Sequence, residues 1–144
     1  MMDSLANGQV YTQSLQLLAT QPLRATLVWT DPAATPLPEN LISFNDRSSR
    51  LINDLDLRLL NTDGSIVVRP WVLNPATPEQ DAQTGDNRVD VVEQIAYTAQ
   101  NPNTTYTLRI THKDTLQNQN RQTRNHQPFA LVISGLAADS YRFV

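Results

Sequence analysis

The stretch Leu51-Ile52-Asn53-Asp54-Leu55-Asp56-Leu57-Arg58-Leu59-Leu60 decides the fold. Its leucines recur at alternate positions, which is the period of a strand with one buried face. Asp54, Asp56 and Arg58 then share the opposite face. Two carboxylates on alternate positions of a strand lie roughly 7 Å apart at their Cα atoms. At that separation the two groups either repel each other or share a cation.

Length and composition narrow the possible classes of protein. The chain has 144 residues, which predicts a single domain over 1–144, with its core at about 7–136 and loose ends at 1–6 and 137–144. It has no cysteine, so disulfides and thiolate metal sites are excluded. A net charge of −3 argues against a general nucleic-acid binder. We see no apolar run long enough to cross a membrane and no signal peptide.

Alternating apolar residues predict strands throughout the chain, and no segment has the pattern of an amphipathic helix. The fold class expected is therefore all-β, a jelly-roll-like β-sandwich of about eight mostly antiparallel strands. Proline-rich or amide-rich sequence predicts a long loop over 32–50, an irregular stretch over 70–85 and an exposed excursion over 117–127. The predicted strands cover residues 10–18, 23–30, 51–60, 65–69, 89–98, 106–112 and 129–134, with 137–144 as a further edge segment or a frayed end.

Four stretches in order carry a resemblance to a known family. They are LRATLVWTDP (23–32), LINDLDL (51–57), GDNRVDVVEQI (85–95), and a segment that runs from TYTL (105–108) to FALVISG (129–135). Together they resemble the β-sandwich domain that follows the catalytic domain in many bacterial subtilisin-like serine proteases. The resemblance covers about 7–136. It departs at Val91, where the family usually has Asn, and in the loop between Asp31 and Leu51, which is longer than usual.

This resemblance implies a noncatalytic jelly roll that often binds calcium and packs against a subtilisin-like catalytic domain of the same polypeptide. It also implies secretion or attachment to the bacterial cell envelope. The chain would stabilise the catalytic domain or dock on it, and would help to present protein substrate. The alternative is a free-standing carbohydrate-binding or protein-binding jelly roll. An exposed row of aromatic side chains would favour that alternative, whereas one broad apolar patch on a sheet would favour the accessory domain.

Calcium requires six to eight oxygen ligands, and several acidic and amide side chains can supply them. Asp54 and Asp56 share a strand face, and Asp31 follows another strand. Two other interpretations of Asp54 and Asp56 stay open: their carboxylates accept hydrogen bonds from loop amides, or they pair with Arg50, Arg58 or Arg88. Asn53 is equally consistent with an inward amide that caps loop backbone groups. The full set of candidate calcium ligands is Asp31, Asp54, Asp56, Asp86, Asn87, Asp90 and Glu93.

The catalytic apparatus of a hydrolase is not visible in the sequence. A Ser-His-Asp triad requires a serine on a sharp turn, and neither Gly-Thr-Ser nor Gly-x-Ser-x-Gly occurs. The two histidines, His112 and His126, are expected at a strand end and in a loop, and they do not suffice for a zinc site. Trp29 falls on an apolar strand face and is expected in the core. Trp71 follows Pro70 in irregular sequence and is more open to a binding role, although a lid over the sandwich is the commoner use of such a residue.

Overall fold

A computed structural model describes residues 1–18, 20–40, 43–100 and 104–136 of the chain. These residues form ten β-strands, and they include no helix long and apolar enough to cross a membrane. The strands are β1 (Met2–Ala6), β2 (Tyr11–Gln16), β3 (Leu23–Trp29), β4 (Leu55–Leu60), β5 (Ile66–Val68), β6 (Trp71–Val72), β7 (Gln83–Thr84), β8 (Val92–Tyr97), β9 (Thr105–His112) and β10 (His126–Ser134).

Eight of the ten strands form two four-stranded antiparallel sheets, and β6 and β7 pair separately as a short ribbon. Sheet A has the order β1-β10-β3-β8, and sheet B has the order β2-β9-β4-β5. The pairing is nested: β1 pairs with β10, β2 with β9, β3 with β8 and β4 with β5. A chain folded back on itself in this way, with its strands distributed over two sheets, is a jelly roll. The predicted fold class is confirmed.

Alternation along the strands builds the core between the sheets. Leu23, Ala25, Leu27 and Trp29 of β3 are buried, and the side chains between them point outward. In β4 the three alternate leucines predicted to face inward have no exposed surface. Burial of each leucine stabilises the fold by about 1.5–3 kcal/mol relative to exposure. Trp29 is in the core, as predicted, and its indole Nε1 donates a 3.0 Å hydrogen bond to the Asn53 carbonyl oxygen.

Some boundaries differ from the sequence predictions. Residues 1–6 were expected to be loose, which is wrong, because residues 2–6 form β1 against β10 and Leu5 is fully buried. The strand predicted from Leu51 begins only at Leu55, and the stretch expected to be irregular over 70–85 contains the β6–β7 ribbon. The prediction for 137–144 lies outside the described residues.

The strand predicted over 89–98 is shorter than expected, since β8 begins at Val92. The residues just before it are extended or bent rather than strand-paired, although the Trp29 N–H still donates to the Val91 carbonyl oxygen at 3.1 Å. This irregular segment brings Asp86 to the outward face of β4, where Asp56 lies.

Candidate functional site

Six charged side chains meet on the outward face of β4 and at its margin. We call Asp54, Asp56, Asp86, Glu93, Arg58 and Lys113 the charge cluster. Lys113 follows β9, and its Nζ lies 2.9 Å from Asp54 Oδ2, 2.7 Å from Asp56 Oδ1 and 3.3 Å from Asp86 Oδ1. The alternation of β4 thus places Asp54 and Asp56 on one face, as predicted, and a neighbouring segment brings the third carboxylate to them.

Arg58 is the second cation of the charge cluster, and it is almost completely buried. Its Nη2 donates to Asp56 Oδ1 at 2.7 Å and to Asp86 Oδ1 at 2.6 Å. Arg88, which is exposed, donates to the other oxygen of Asp86 at 2.8 Å. The sequence interpretation in which Asp54 and Asp56 pair with arginine therefore holds for Asp56, through Arg58, whereas the cation beside Asp54 is Lys113.

Glu93 reaches from β8 of sheet A to β4 of sheet B, with 0% of its surface exposed. Its Oε2 accepts the Leu57 N–H at 2.5 Å and lies 3.5 Å from Arg58 Nη1, which itself donates to the Leu57 carbonyl oxygen at 2.8 Å. Leu57 lies where β5 has not yet paired with β4. Glu93 and Arg58 therefore satisfy both backbone groups that Leu57 presents on that side.

The pKa values in the charge cluster reflect two competing effects: burial disfavours the charged form of each group, and nearby opposite charges favour it. Burial raises the pKa of Glu93 to about 8, against the opposing hydrogen bond from Leu57 and the charge of Arg58. Burial also raises the pKa of Asp54, and Lys113 counteracts it. For Asp86 burial acts in the same direction, but Arg88 and Lys113 outweigh it and lower the pKa to about 2. Burial would lower the pKa of Lys113, yet hydrogen bonds to Asp56 and Asp54 outweigh it and raise the pKa.

Two polar atoms of the charge cluster are buried without a hydrogen-bond partner among the described residues, namely Asp54 Oδ1 and Glu93 Oε1. An unpaired carboxylate oxygen away from water destabilises the ionised form. This agrees with the direction of the pKa shifts of both groups. With Glu93 protonated, the carboxylates of Asp54, Asp56 and Asp86 are matched by the cations of Lys113, Arg58 and Arg88.

Asp31 was expected among the calcium ligands, but it is engaged elsewhere. Its two carboxylate oxygens accept the backbone N–H groups of Ile52 and Asn53, at 2.6 and 2.8 Å. Burial raises the pKa of Asp31, and these two hydrogen bonds counteract the rise. These two hydrogen bonds anchor the chain where it enters β4.

Asn53 acts as the inward amide that the sequence left open. Its Nδ2 donates to the Gln117 carbonyl oxygen at 3.0 Å and to Gln127 Oε1 at 2.9 Å, and its Oδ1 accepts the Gln117 N–H at 2.8 Å. Gln127 is fully buried and donates onward to the Thr30 carbonyl oxygen. The excursion over 117–127 was expected to be exposed throughout. This is wrong at Gln127, because Asn53 satisfies its amide in the interior.

Asn87 and Asp90 form a local turn rather than part of the charge cluster. Asn87 Oδ1 accepts the N–H groups of Val89 and Asp90, at 3.1 and 3.2 Å. Its Nδ2 donates to Asp90 Oδ2 and to the Val92 carbonyl oxygen. An asparagine that bonds backbone groups two and three residues ahead stabilises a turn. Both side chains therefore shape the entry into β8.

The predicted calcium ligands therefore divide among three places. The described residues contain no group of three or more His, Asp or Glu side chains that could hold a metal ion. Between Asp54, Asp56 and Asp86 lies the Lys113 ammonium, and Glu93 is committed to Leu57 and Arg58. The arrangement does not fit calcium as it stands, because calcium requires six to eight oxygens at 2.3–2.6 Å. Calcium binding stays a prediction.

The two histidines differ in their surroundings. His112 Nε2 accepts the Gly8 N–H at 2.8 Å, and its Nδ1 lies 2.7 Å from the Asp114 carbonyl oxygen. These partners assign the proton to Nδ1. His112 thus ties the turn before β2 to the end of β9, while His126 is exposed at the start of β10.

The outer face of sheet A carries a continuous row of apolar residues. Met2 lies opposite Ala130, Ala130 opposite Val28, and Val28 opposite Val92, so the row crosses all four strands. We call these four residues the apolar row. Val28 is 38% exposed and Val92 43%, and Val132, beside the row on β10, is 66% exposed. The sequence alternation indicated which residues face outward, but not that the pairing would align them.

Beside Val92 the apolar row ends at a groove of about 580 Å³ beneath the β6–β7 ribbon. Trp71 and Leu73 form one wall, and Asn87, Asp90 and Gln94 contribute polar atoms. Trp71 is 40% exposed, and a binding role for it stays a prediction. Among the described residues that line the groove there is no second aromatic side chain, so they form no aromatic row there.

Comparison with models of known protein families gives no match for this chain, and comparison with curated proteins gives none either. The likeness to the domain of subtilisin-like proteases rests on the four sequence stretches and stays a prediction.

Proposed function

We propose that this chain is a noncatalytic accessory domain of a bacterial subtilisin-like serine protease that is secreted or held in the cell envelope. It docks on the catalytic domain of the same polypeptide and stabilises it. The apolar row, together with Val132, is the observation that carries the proposal, because it forms one apolar patch on one sheet. The four sequence stretches supply the identity of the partner.

The composition of the outer face of sheet A suits a docking surface. Among the outward side chains of β3, β8 and β10, only Arg24 carries a formal charge. Depletion of charge in the centre and exposed aliphatic groups are characteristic of interface cores. Contiguous apolar patches on a soluble protein mark interaction sites more often than chance exposure does. Removal of these side chains from water would contribute about 25 cal/mol for each Å² of apolar surface buried.

The first test is the complete reading frame that encodes this chain. We expect it to encode a domain upstream with the Asp, His and Ser motifs of a subtilisin. A frame without such a domain removes the proposal.

The second test uses the full-length polypeptide and one charge on the docking face. Val132→Glu should leave the melting temperature of the isolated 1–144 domain within about 2 °C of the parent, because the side chain is exposed. In the full-length protease it should shorten the half-life of peptidase activity at elevated temperature. Thr12→Glu, an exposed position on sheet B, is the matched control and should have no such effect. Equal behaviour of the two variants contradicts docking through this face.

The groove at Trp71 supports a second candidate function, a free-standing module that binds carbohydrate or protein. An indole beside amide and carboxylate groups is a suitable surface for sugar rings. Affinity electrophoresis of the 1–144 domain in polysaccharide gels tests this function. Retardation that is lost in Trp71→Ala and kept in Val132→Glu would favour this candidate over the protease accessory domain.

A further inference from the structure

Lys113 is the only lysine among the 144 residues, whereas arginine occurs ten times. Its backbone N–H donates to the Asp54 carbonyl oxygen at 3.1 Å, which continues the β4–β9 pairing beyond His112. The side chain is 18% exposed, and its ammonium faces three carboxylates. The position is therefore fixed by the sheet and does not depend on a flexible loop.

The chemistry of the ammonium matches this position. A lysine ammonium is a compact charge with three donors, whereas arginine presents a planar fork. Here the three carboxylate oxygens lie 2.7–3.3 Å from Nζ, one from each aspartate. Arg58 Nη2 donates to two of the same oxygens, those of Asp56 and Asp86. Without Lys113, Asp54 would have no cation within salt-bridge distance among the described residues.

We propose that the Lys113 ammonium takes the place that a divalent cation would hold among Asp54, Asp56 and Asp86. The stability of this domain is therefore independent of calcium. Three carboxylates at this spacing repel one another unless a cation lies among them. In this chain the cation is covalently attached, so it cannot be removed by a chelator. The inference does not depend on the proposed function, since it concerns the charge cluster alone.

The test compares wild-type 1–144 with Lys113→Ala by thermal melting, each in EDTA and in about 5 mM CaCl₂. The wild type should melt at the same temperature in both buffers. Lys113→Ala should melt about 5 °C or more lower in EDTA, because Asp54 is left without a cation and Asp56 and Asp86 keep only their arginine partners. Calcium should restore at least half of the lost melting temperature. Titration calorimetry should detect calcium binding to the variant but not to the wild type.

Lys113→Ala with Asp54→Asn is the matched control. This double variant has one negative charge less and should lose the response to calcium. A calcium response in the double variant equal to that of Lys113→Ala would overturn the proposal.

Three further results would also overturn the proposal. The first is a wild-type melting temperature that falls after chelation. The second is a Lys113→Ala variant as stable as the wild type in EDTA. The third is a destabilised variant that calcium does not recover. If Lys113→Ala does not fold in EDTA, the proposal is tested by the far-ultraviolet circular dichroism spectrum of this variant in calcium. A folded β spectrum supports the proposal, and an unfolded spectrum contradicts it.

Discussion

Replacing Glu93 by glutamine is expected to remove much of the pH dependence of the stability of this domain. Glu93 is fully buried, and burial raises the pKa of its carboxyl to about 8 from the ordinary 4.5. The folded state therefore holds a proton that the unfolded chain releases at a lower pH. The stability due to this group is fully present below about pH 4.5 and is lost as the pH rises through about 8.

The size of the loss in stability follows from the size of the pKa shift of Glu93. At about 1.4 kcal/mol for each pKa unit, a rise from 4.5 to about 8 gives an upper bound of about 5 kcal/mol. We expect a loss of about 2–4 kcal/mol between pH 5 and pH 9, because Arg58 Nη1 lies 3.5 Å away and can approach the ionised carboxylate. The raised pKa of Asp54 adds to the wild-type slope in the same direction.

The assay is urea unfolding of the wild type and Glu93→Gln at pH 5 and pH 9. Glutamine resembles the protonated acid, so the two proteins should agree within about 1 kcal/mol at pH 5. At pH 9 the variant should be the more stable by about 2–4 kcal/mol. Glu79→Gln, at an exposed position, should have the same free energy of unfolding as the wild type at pH 5 and at pH 9. A Glu93→Gln variant that loses stability with rising pH as steeply as the wild type would refute the reasoning.

Three other outcomes are expected. Asn53→Ala should lower the free energy of unfolding by about 2–4 kcal/mol, because it removes a hydrogen bond to the buried Gln127 Oε1 and both hydrogen bonds to the Gln117 backbone; exposed Gln119→Ala is its control, and equal urea midpoints would contradict this account. Gly135→Ala should lower the free energy of unfolding by more than about 2 kcal/mol, because Gly135 has a φ of +80° and a Cβ there would collide with the Pro22 carbonyl oxygen. An unchanged melting temperature would contradict this prediction. Reductive methylation of the Lys113 amine should be at least about tenfold slower in native protein than in urea, as followed by mass spectrometry, because its ammonium is held by three carboxylates; equal rates would show that it is free.

The sandwich was predictable because alternation of apolar residues is strong where one face of a strand is buried. β3 is the clearest example, with four buried side chains at alternate positions. β1 was missed because Leu5 is its only buried side chain. That strand is held by its pairing with β10, and pairing between residues more than a hundred positions apart leaves no local pattern.

Only the part of the candidate site that lies on a single strand could be predicted from the sequence. Alternation placed Asp54, Asp56 and Arg58 on a common face, but it did not identify the cation that joins the carboxylates. Lys113 reaches them because Leu55 pairs with His112 in the sheet, and that register is a property of the whole fold. The single lysine in an arginine-rich set of bases was the one signal in the sequence that pointed to it.

The buried side-chain amides show a second limit of prediction from sequence. Gln127 belongs to an amide-rich stretch, and such composition normally indicates exposure. It is buried because Asn53, Thr30 and Pro128 supply partners for its side-chain amide. Burial of a polar group depends on partners that converge from distant parts of the chain, and composition does not reveal them.

The capping of Leu57 by Glu93 and Arg58 has a consequence for self-association. A strand with unpaired amides is a template on which a second chain can add. In this protein the Glu93 carboxyl and the Arg58 guanidinium occupy those groups, so a foreign strand would first have to displace two buried polar side chains. Glu93, which accounts for much of the response to pH, therefore also protects β4, together with Arg58, against the growth of intermolecular sheets.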